Sequence, residues 1–228
     1  MELASWHDFY GASWQQPWAL LLAPFAFLVW RALAAPPRDG AAPEARSFVV
    51  AWGTLFALET MLDPIATGPL AQALGSPRAS TALGVGFVML GDFRVWWLIF
   101  WIDRPTGAAL RALAPTLGVP IAAWLVSLTL PLPEQALWLL HESLFIAVAF
   151  LFSRRLAGRF ERAVLAYAGV YYALWAAADV LILAGVDAGW LLRCVPNQLY
   201  YGFTVPFVWW RFFAPAYAAT STSTQASR

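Results

Sequence analysis

The chain has 228 residues, 61% of them hydrophobic and only 12% charged, with a mean hydropathy of +0.63. A soluble domain of this length carries about twice that share of charge, so the composition argues against one and for a chain that lives in lipid. The net charge is +1, which leaves no basic surface for nucleic acid.

Apolar runs of about 20 residues are long enough to cross roughly 30 Å of hydrocarbon. Seven such runs are read along the chain, near residues 17–35, 47–69, 81–102, 113–132, 135–153, 162–185 and 193–214. The expected fold class is therefore an all-α membrane protein with seven transmembrane helices, in one domain over residues 1–219. Residues 1–16 contain Glu2, His7 and Asp8 and lack a basic leader, so the first run is expected to be a retained membrane helix. Pro/Gly-rich or charged segments separate most spans: residues 35–40, Gly75-Ser76-Pro77-Arg78, residues 103–107 and Leu130-Pro131-Leu132-Pro133. Pro115 and Pro120 interrupt the fourth span, a break that bundled membrane helices tolerate. The Ser/Thr-rich end, residues 220–228, reads as a disordered tail.

Arginine placement sets the expected orientation. Arg31, Arg38, Arg46, Arg104, Arg111, Arg154, Arg155, Arg159, Arg162 and Arg211 fall on one side. Only Arg78 and Arg193 fall on the other, beside Glu2, Asp8, Glu134 and Asp187. The N-terminus is thus expected outside and the C-terminus in the cytoplasm, in a bacterial inner membrane.

An internal repeat is legible. Residues 26–34 and 149–157 both read AFLxxRxLA. The second span carries Gly53, Phe56, Ala57, Leu58 and Asp63, and the sixth carries Gly169, Tyr172, Ala173, Leu174 and Asp179 at the same spacing. Trp96-Trp97 and Trp209-Trp210 close the third and seventh spans. The pattern predicts a 3+1+3 parallel repeat, with half-repeats 17–102 and 135–214 and a linker helix at 113–132. This layout resembles the SWEET and PQ-loop sugar and amino-acid transporters. The Pro-Gln pair that names the latter is absent from the first and fifth spans, and no residues are carried over.

Ionisable groups at membrane depth are costly and mark function by default. Glu59, Asp63, Asp92, Arg94, His141, Glu142 and Asp179 all fall inside the apolar runs, and Asn197 and Gln198 lie at the start of the seventh. Glu59 and Asp63 are four apart and share a helix face, whereas Asp92 and Arg94 are two apart and do not. Arg94 therefore looks to another helix for its partner, with Glu59 or Asp63 the candidates. One arginine cannot neutralise five carboxylates. Some acids must hold a proton, or a cation must bind, or water must fill the site. The polar groups gather in the outer halves of the spans, so an outward-facing acidic pocket for a small polar solute or cation is expected. The bland alternative is interhelical hydrogen bonding by neutral acids.

The basic residues are all arginine, which removes lysine nucleophiles, a phosphate-loop lysine and a retinal Schiff base. The single cysteine, Cys194, has no partner for a disulfide or a thiolate metal site. His141 could join the carboxylates at a metal, but no HExxH accompanies it, and no cofactor is expected. Ser143 lies two residues from His141 without a GxSxG elbow. The alkaline ceramidase and adiponectin-receptor group also has seven helices, but this chain lacks its paired histidines. Trp30, Trp96, Trp97, Trp209 and Trp210 read as an interfacial belt on the cytoplasmic side, and Trp6, Trp14, Trp138 and Trp190 as one outside. An aromatic substrate cage is the alternative use of these rings. The leading reading is a proton- or cation-coupled small-solute transporter. Its rivals are an intramembrane hydrolase acting on a lipid, metal-dependent in one version, and a sensory or assembly subunit.

Overall fold

The computed structural model describes residues 5–12, 17–33 and 42–213. The predicted tail, the segment at residues 35–40 and Trp14 lie outside them. Among the described residues every regular element is a helix. In order these are α1 (Trp6–Gly11), α2 (Pro17–Leu33), α3 (Pro43–Ile65), a π segment π1 (Ala66–Leu70), α4 (Ala71–Leu74), α5 (Pro77–Asp103), α6 (Ala108–Thr129), α7 (Glu134–Ser153), α8 (Arg159–Leu183), α9 (Ala188–Asn197), a second π segment π2 (Gln198–Phe203) and α10 (Thr204–Phe213). Five helical stretches are long and apolar enough to cross a membrane: Pro43–Leu74, Arg78–Asp103, Ala108–Thr129, Glu134–Ser153 and Arg159–Leu183. Leu22–Leu33 is a shorter apolar helix.

Local chemistry sets several boundaries. Gly75, at φ +60°, ends α4 in the left-handed conformation that a side chain would resist. Ser76 then caps α5 by accepting from the Ala79 N–H at 3.4 Å, and Pro77 occupies the first helical position. The Asp187 carboxylate accepts from the N–H groups of Trp6 at 2.6 Å and His7 at 3.3 Å, and so ties the start of α1 to the start of α9.

The two π segments follow from proline. Pro69 lies within π1, and Pro206 lies just beyond π2. A proline inside a helix returns no N–H to the preceding turn and crowds a carbonyl there, so the ladder widens. Side chains also bond carbonyls at both segments. Thr67 donates to the Asp63 carbonyl at 2.8 Å. In π2 the Leu199 carbonyl accepts from Tyr167 at 2.8 Å and Thr204 at 3.0 Å, and the Tyr200 carbonyl accepts from Arg94 at 2.8 Å.

α5 and α8 hold the middle of the bundle. α5 packs on α3, α6 and α8, while α8 packs on α7, α9 and α10; α2 lies against α3 and π2. Trp52 and Phe56 of α3, Trp96 and Ile99 of α5, Phe145 of α7, Tyr171 of α8 and Phe212 of α10 are buried in one core. Large apolar side chains also cover the outside. On α6 alone Leu110, Ile121, Trp124, Leu125 and Leu128 are exposed. A water-soluble surface rarely carries so continuous an apolar face; lipid is the solvent that suits it.

The tryptophan belt needs correction. Trp96 is fully buried between Phe145, at 5.6 Å, and Phe152, at 5.2 Å, and Trp209 is buried against Phe27 at 5.6 Å. Of Trp30, Trp96, Trp97, Trp209 and Trp210, only Trp30 and Trp210 are widely exposed. Adjacent tryptophans point about 100° apart on a helix, so one of each pair turns to the core.

Candidate functional site

The predicted polar residues separate into two centres, with π2 between them. The first lies among α3, α5 and π2. Arg94 is fully buried on α5. Its Nη1 lies 3.5 Å from Glu59 Oε2 and donates to Thr60 Oγ1 at 2.9 Å, and its Nη2 donates to the Tyr200 carbonyl. The guanidinium stands 4.2 Å from the centre of the Tyr200 ring. Asp63, one turn beyond Glu59, accepts from Thr67 at 3.3 Å, and the Tyr201 hydroxyl is a further hydrogen-bond neighbour.

The second centre lies among α5, α7, α8 and α9. Asp92 turns away from Arg94, as a two-residue spacing requires. It accepts a short hydrogen bond from the Tyr172 hydroxyl and lies 3.4 Å from His141 Nε2. Asp179 is fully buried, forms an ion pair with Arg193 and accepts from Gln135 Nε2 at 2.8 Å. Asn197 accepts from Trp175 Nε1 at 2.9 Å and donates to the Tyr10 hydroxyl at 3.2 Å. Glu142 is buried, and its Oε2 has no hydrogen-bond partner. Gln198 is half-buried at the start of π2 and does not reach this centre.

A cavity of about 150 Å³ opens in the second centre, lined by His141, Glu142, Arg193, Asn197, Val88 and a set of aromatic rings. Glu142 and His141 thus share a cavity that Glu59, Asp63 and Arg94 do not line. Among the described residues no three His, Cys, Asp or Glu side chains converge to hold a metal ion.

Several participants escape a reading by residue type. Arg193 looks like an outside-loop charge in the sequence; the structure turns it inward on α9 to meet Asp179. Its signal was the four-residue spacing to Asn197, which puts both on one helix face. Tyr172, Thr60 and Gln135 are common helix residues with no pattern to distinguish them. Trp138, expected in the outer belt, lines the cavity instead.

Close approach of π2 to α5 depends on Gly91. A Cβ there would run into the Tyr200 hydroxyl and ring. Gly91→Ala is therefore expected to cost about 1–3 kcal/mol through overpacking and to shift Tyr200 off Arg94. Thermal unfolding in detergent measures the first effect. An unchanged melting temperature would mean that the ring yields freely and that the contact is not a constraint.

No family model, curated protein or solved structure matches this chain.

Proposed function

We propose that the chain is a small-solute transporter of the bacterial inner membrane, with an outward-facing acidic pocket and coupling to protons or another cation. The observation that carries this reading is the cavity holding His141, Glu142 and Arg193 inside a bundle of apolar helices. Ionisable groups in such a place face a solute path more readily than lipid. In this reading α2 and the run from α9 through α10 complete seven spans, with the N-terminus outside. The spans before α6 and those after it form the parallel repeat, and Asp63 and Asp179 sit at matching depths. Two features suit transport. The π segments are places where a helix can change pitch without losing its backbone bonds. Arg94 reads as a switchable counter-ion, because the Tyr200 carbonyl that it grips belongs to π2.

Uptake of labelled solutes into proteoliposomes, with and without a proton gradient, tests the proposal. Accumulation that follows the gradient supports it; a tight bilayer with no uptake of any solute across a broad panel of amines, amino acids and sugars overturns it. Topology has its own check. In a Cys194→Ala background, Arg78→Cys is expected to react with an impermeant maleimide from outside, and Arg159→Cys only after the membrane is opened. Reversed labelling would place the cavity on the cytoplasmic side.

A second reading rests on one further contact. His141 beside Asp92 at the cavity wall resembles an acid–base pair held in orientation by a carboxylate. An intramembrane hydrolase would lose lipid turnover completely in His141→Gln, whereas a transporter has no lipid turnover to lose.

A further inference from the structure

We infer that the cavity is a cage for a small alkylammonium cation, held by the Glu142 carboxylate and by aromatic faces. The inference rests on the reading of this cavity as a solute site and names the chemistry of the solute.

The walls are the first argument. Tyr10 of α1, Trp138 of α7, Tyr172 and Trp175 of α8, and Tyr200 and Tyr201 of π2 all line the same space. Neighbouring rings touch in series. Trp138 lies 6.2 Å from His141, Tyr172 lies 5.5 Å from Trp175, Trp175 lies 5.3 Å from Tyr200, and Tyr200 lies 4.7 Å from Tyr201. Ring faces attract cations, and clusters of them recognise quaternary ammonium groups that cannot donate hydrogen bonds. Arg94 already stands over the Tyr200 ring and Arg193 over the Tyr10 ring, so Trp138, Tyr172, Trp175 and Tyr201 are the rings offered to a ligand.

Charge is the second. Asp179 is bonded at Oδ1 by Arg193 and Gln135, and Asp92 at Oδ1 by Tyr172; their Oδ2 atoms also lack hydrogen-bond partners, but neither residue lines the cavity. Glu142 lines the cavity, is 3% exposed, and keeps Oε2 without a partner. A buried carboxyl without a partner is costly in its ionised form and holds a proton instead, and a cation entering the cavity offers the counter-charge that lets it ionise. Arg193 also lines the space; its Nη1 is paired with Asp179, while its Nε has no hydrogen-bond partner.

Size and ligand number select the kind of cation. A volume of about 150 Å³ equals roughly five water molecules at about 30 Å³ each. That suits a head group of about five heavy atoms, the size of tetramethylammonium, by the same measure. Calcium and magnesium require about six or more oxygen ligands, and one free carboxylate among ring faces does not provide them.

Calorimetry on the detergent-purified full chain, with tetramethylammonium and choline chlorides as probes, tests this. The control is 3,3-dimethylbutan-1-ol, which has the shape of choline without its charge. Both cations are expected to bind saturably, and the alcohol at least about tenfold more weakly. Glu142→Gln, close to isosteric, and Trp138→Leu, at a half-buried position, are each expected to weaken choline by a similar factor. Equal affinity for choline and the alcohol, binding indifferent to both substitutions, or no saturable binding of either cation would overturn the cage. The two readings part cleanly. Gradient-driven uptake of another solute, with no binding of these cations, would sink the cage and leave the transporter. Choline binding through Glu142 without transport of any solute would keep the cage and sink the transporter.

Discussion

Replacing Arg94 by alanine is expected to destabilise the detergent-solubilised protein by about 3–5 kcal/mol, the usual cost of breaking a buried charge pair from one side. The guanidinium is fully buried and serves Glu59, Thr60 and the Tyr200 carbonyl together. Its loss strands the Glu59 carboxylate, whose Oε1 already lacks a partner. It also removes the side-chain donor to the Tyr200 carbonyl of π2. Lysine is no substitute, since a point charge cannot serve three acceptors in a fixed fork. Arg94→Ala combined with Glu59→Gln is expected to melt above Arg94→Ala alone, because the second change removes the orphaned charge. Solute uptake is expected to vanish in both. Arg94→Ala melting with wild type would show that the buried pair contributes nothing, and the counter-ion role would fall with it.

An effect of similar size, about 3–5 kcal/mol, is expected from Arg193→Ala. Asp179 is fully buried, and without Arg193 only Gln135 bonds it. An amide hydrogen bond does not neutralise a carboxylate. Asp179→Asn in the Arg193→Ala background is expected to recover part of the loss. Groups in direct contact couple by about 0.5–3 kcal/mol in such a cycle. Melting curves of the four proteins give the coupling, and strictly additive losses would mean that the pair does not act as one unit.

Both substitutions touch residues of very different legibility. Arg94 stands out in the sequence because it interrupts a long apolar run, and its two-residue spacing from Asp92 already divides their partners between helices. Arg193 does not stand out. It lies at the predicted edge of a span, where an arginine is ordinary, and only the inward turn of α9 makes it a partner for Asp179. The tryptophans teach the same lesson from the apolar side. Trp96 and Trp97 are equivalent in composition, yet Trp96 is fully buried and Trp97 half-buried, because they face different helices. Proline positions are legible and their outcome is less so. Pro64, near the end of α3, is followed closely by π1, whereas Pro115 and Pro120 sit in α6 without a π segment.

The sequence by itself determined that the chain is helical, that several helices are long and apolar enough to cross a membrane, and that ionisable groups are enclosed among them. Those properties depend on composition and on periodicity along one helix, and both are local. Only the tertiary structure decided that the polar residues form two centres rather than one pocket. It also placed Glu142 in the cavity with an unpaired oxygen, and turned Trp138 and Trp175 into cavity walls. The physical reason is that a side chain's partner is set by the rotation and depth of each helix against its neighbours. That packing is a joint property of all the helices and is written in no single one of them.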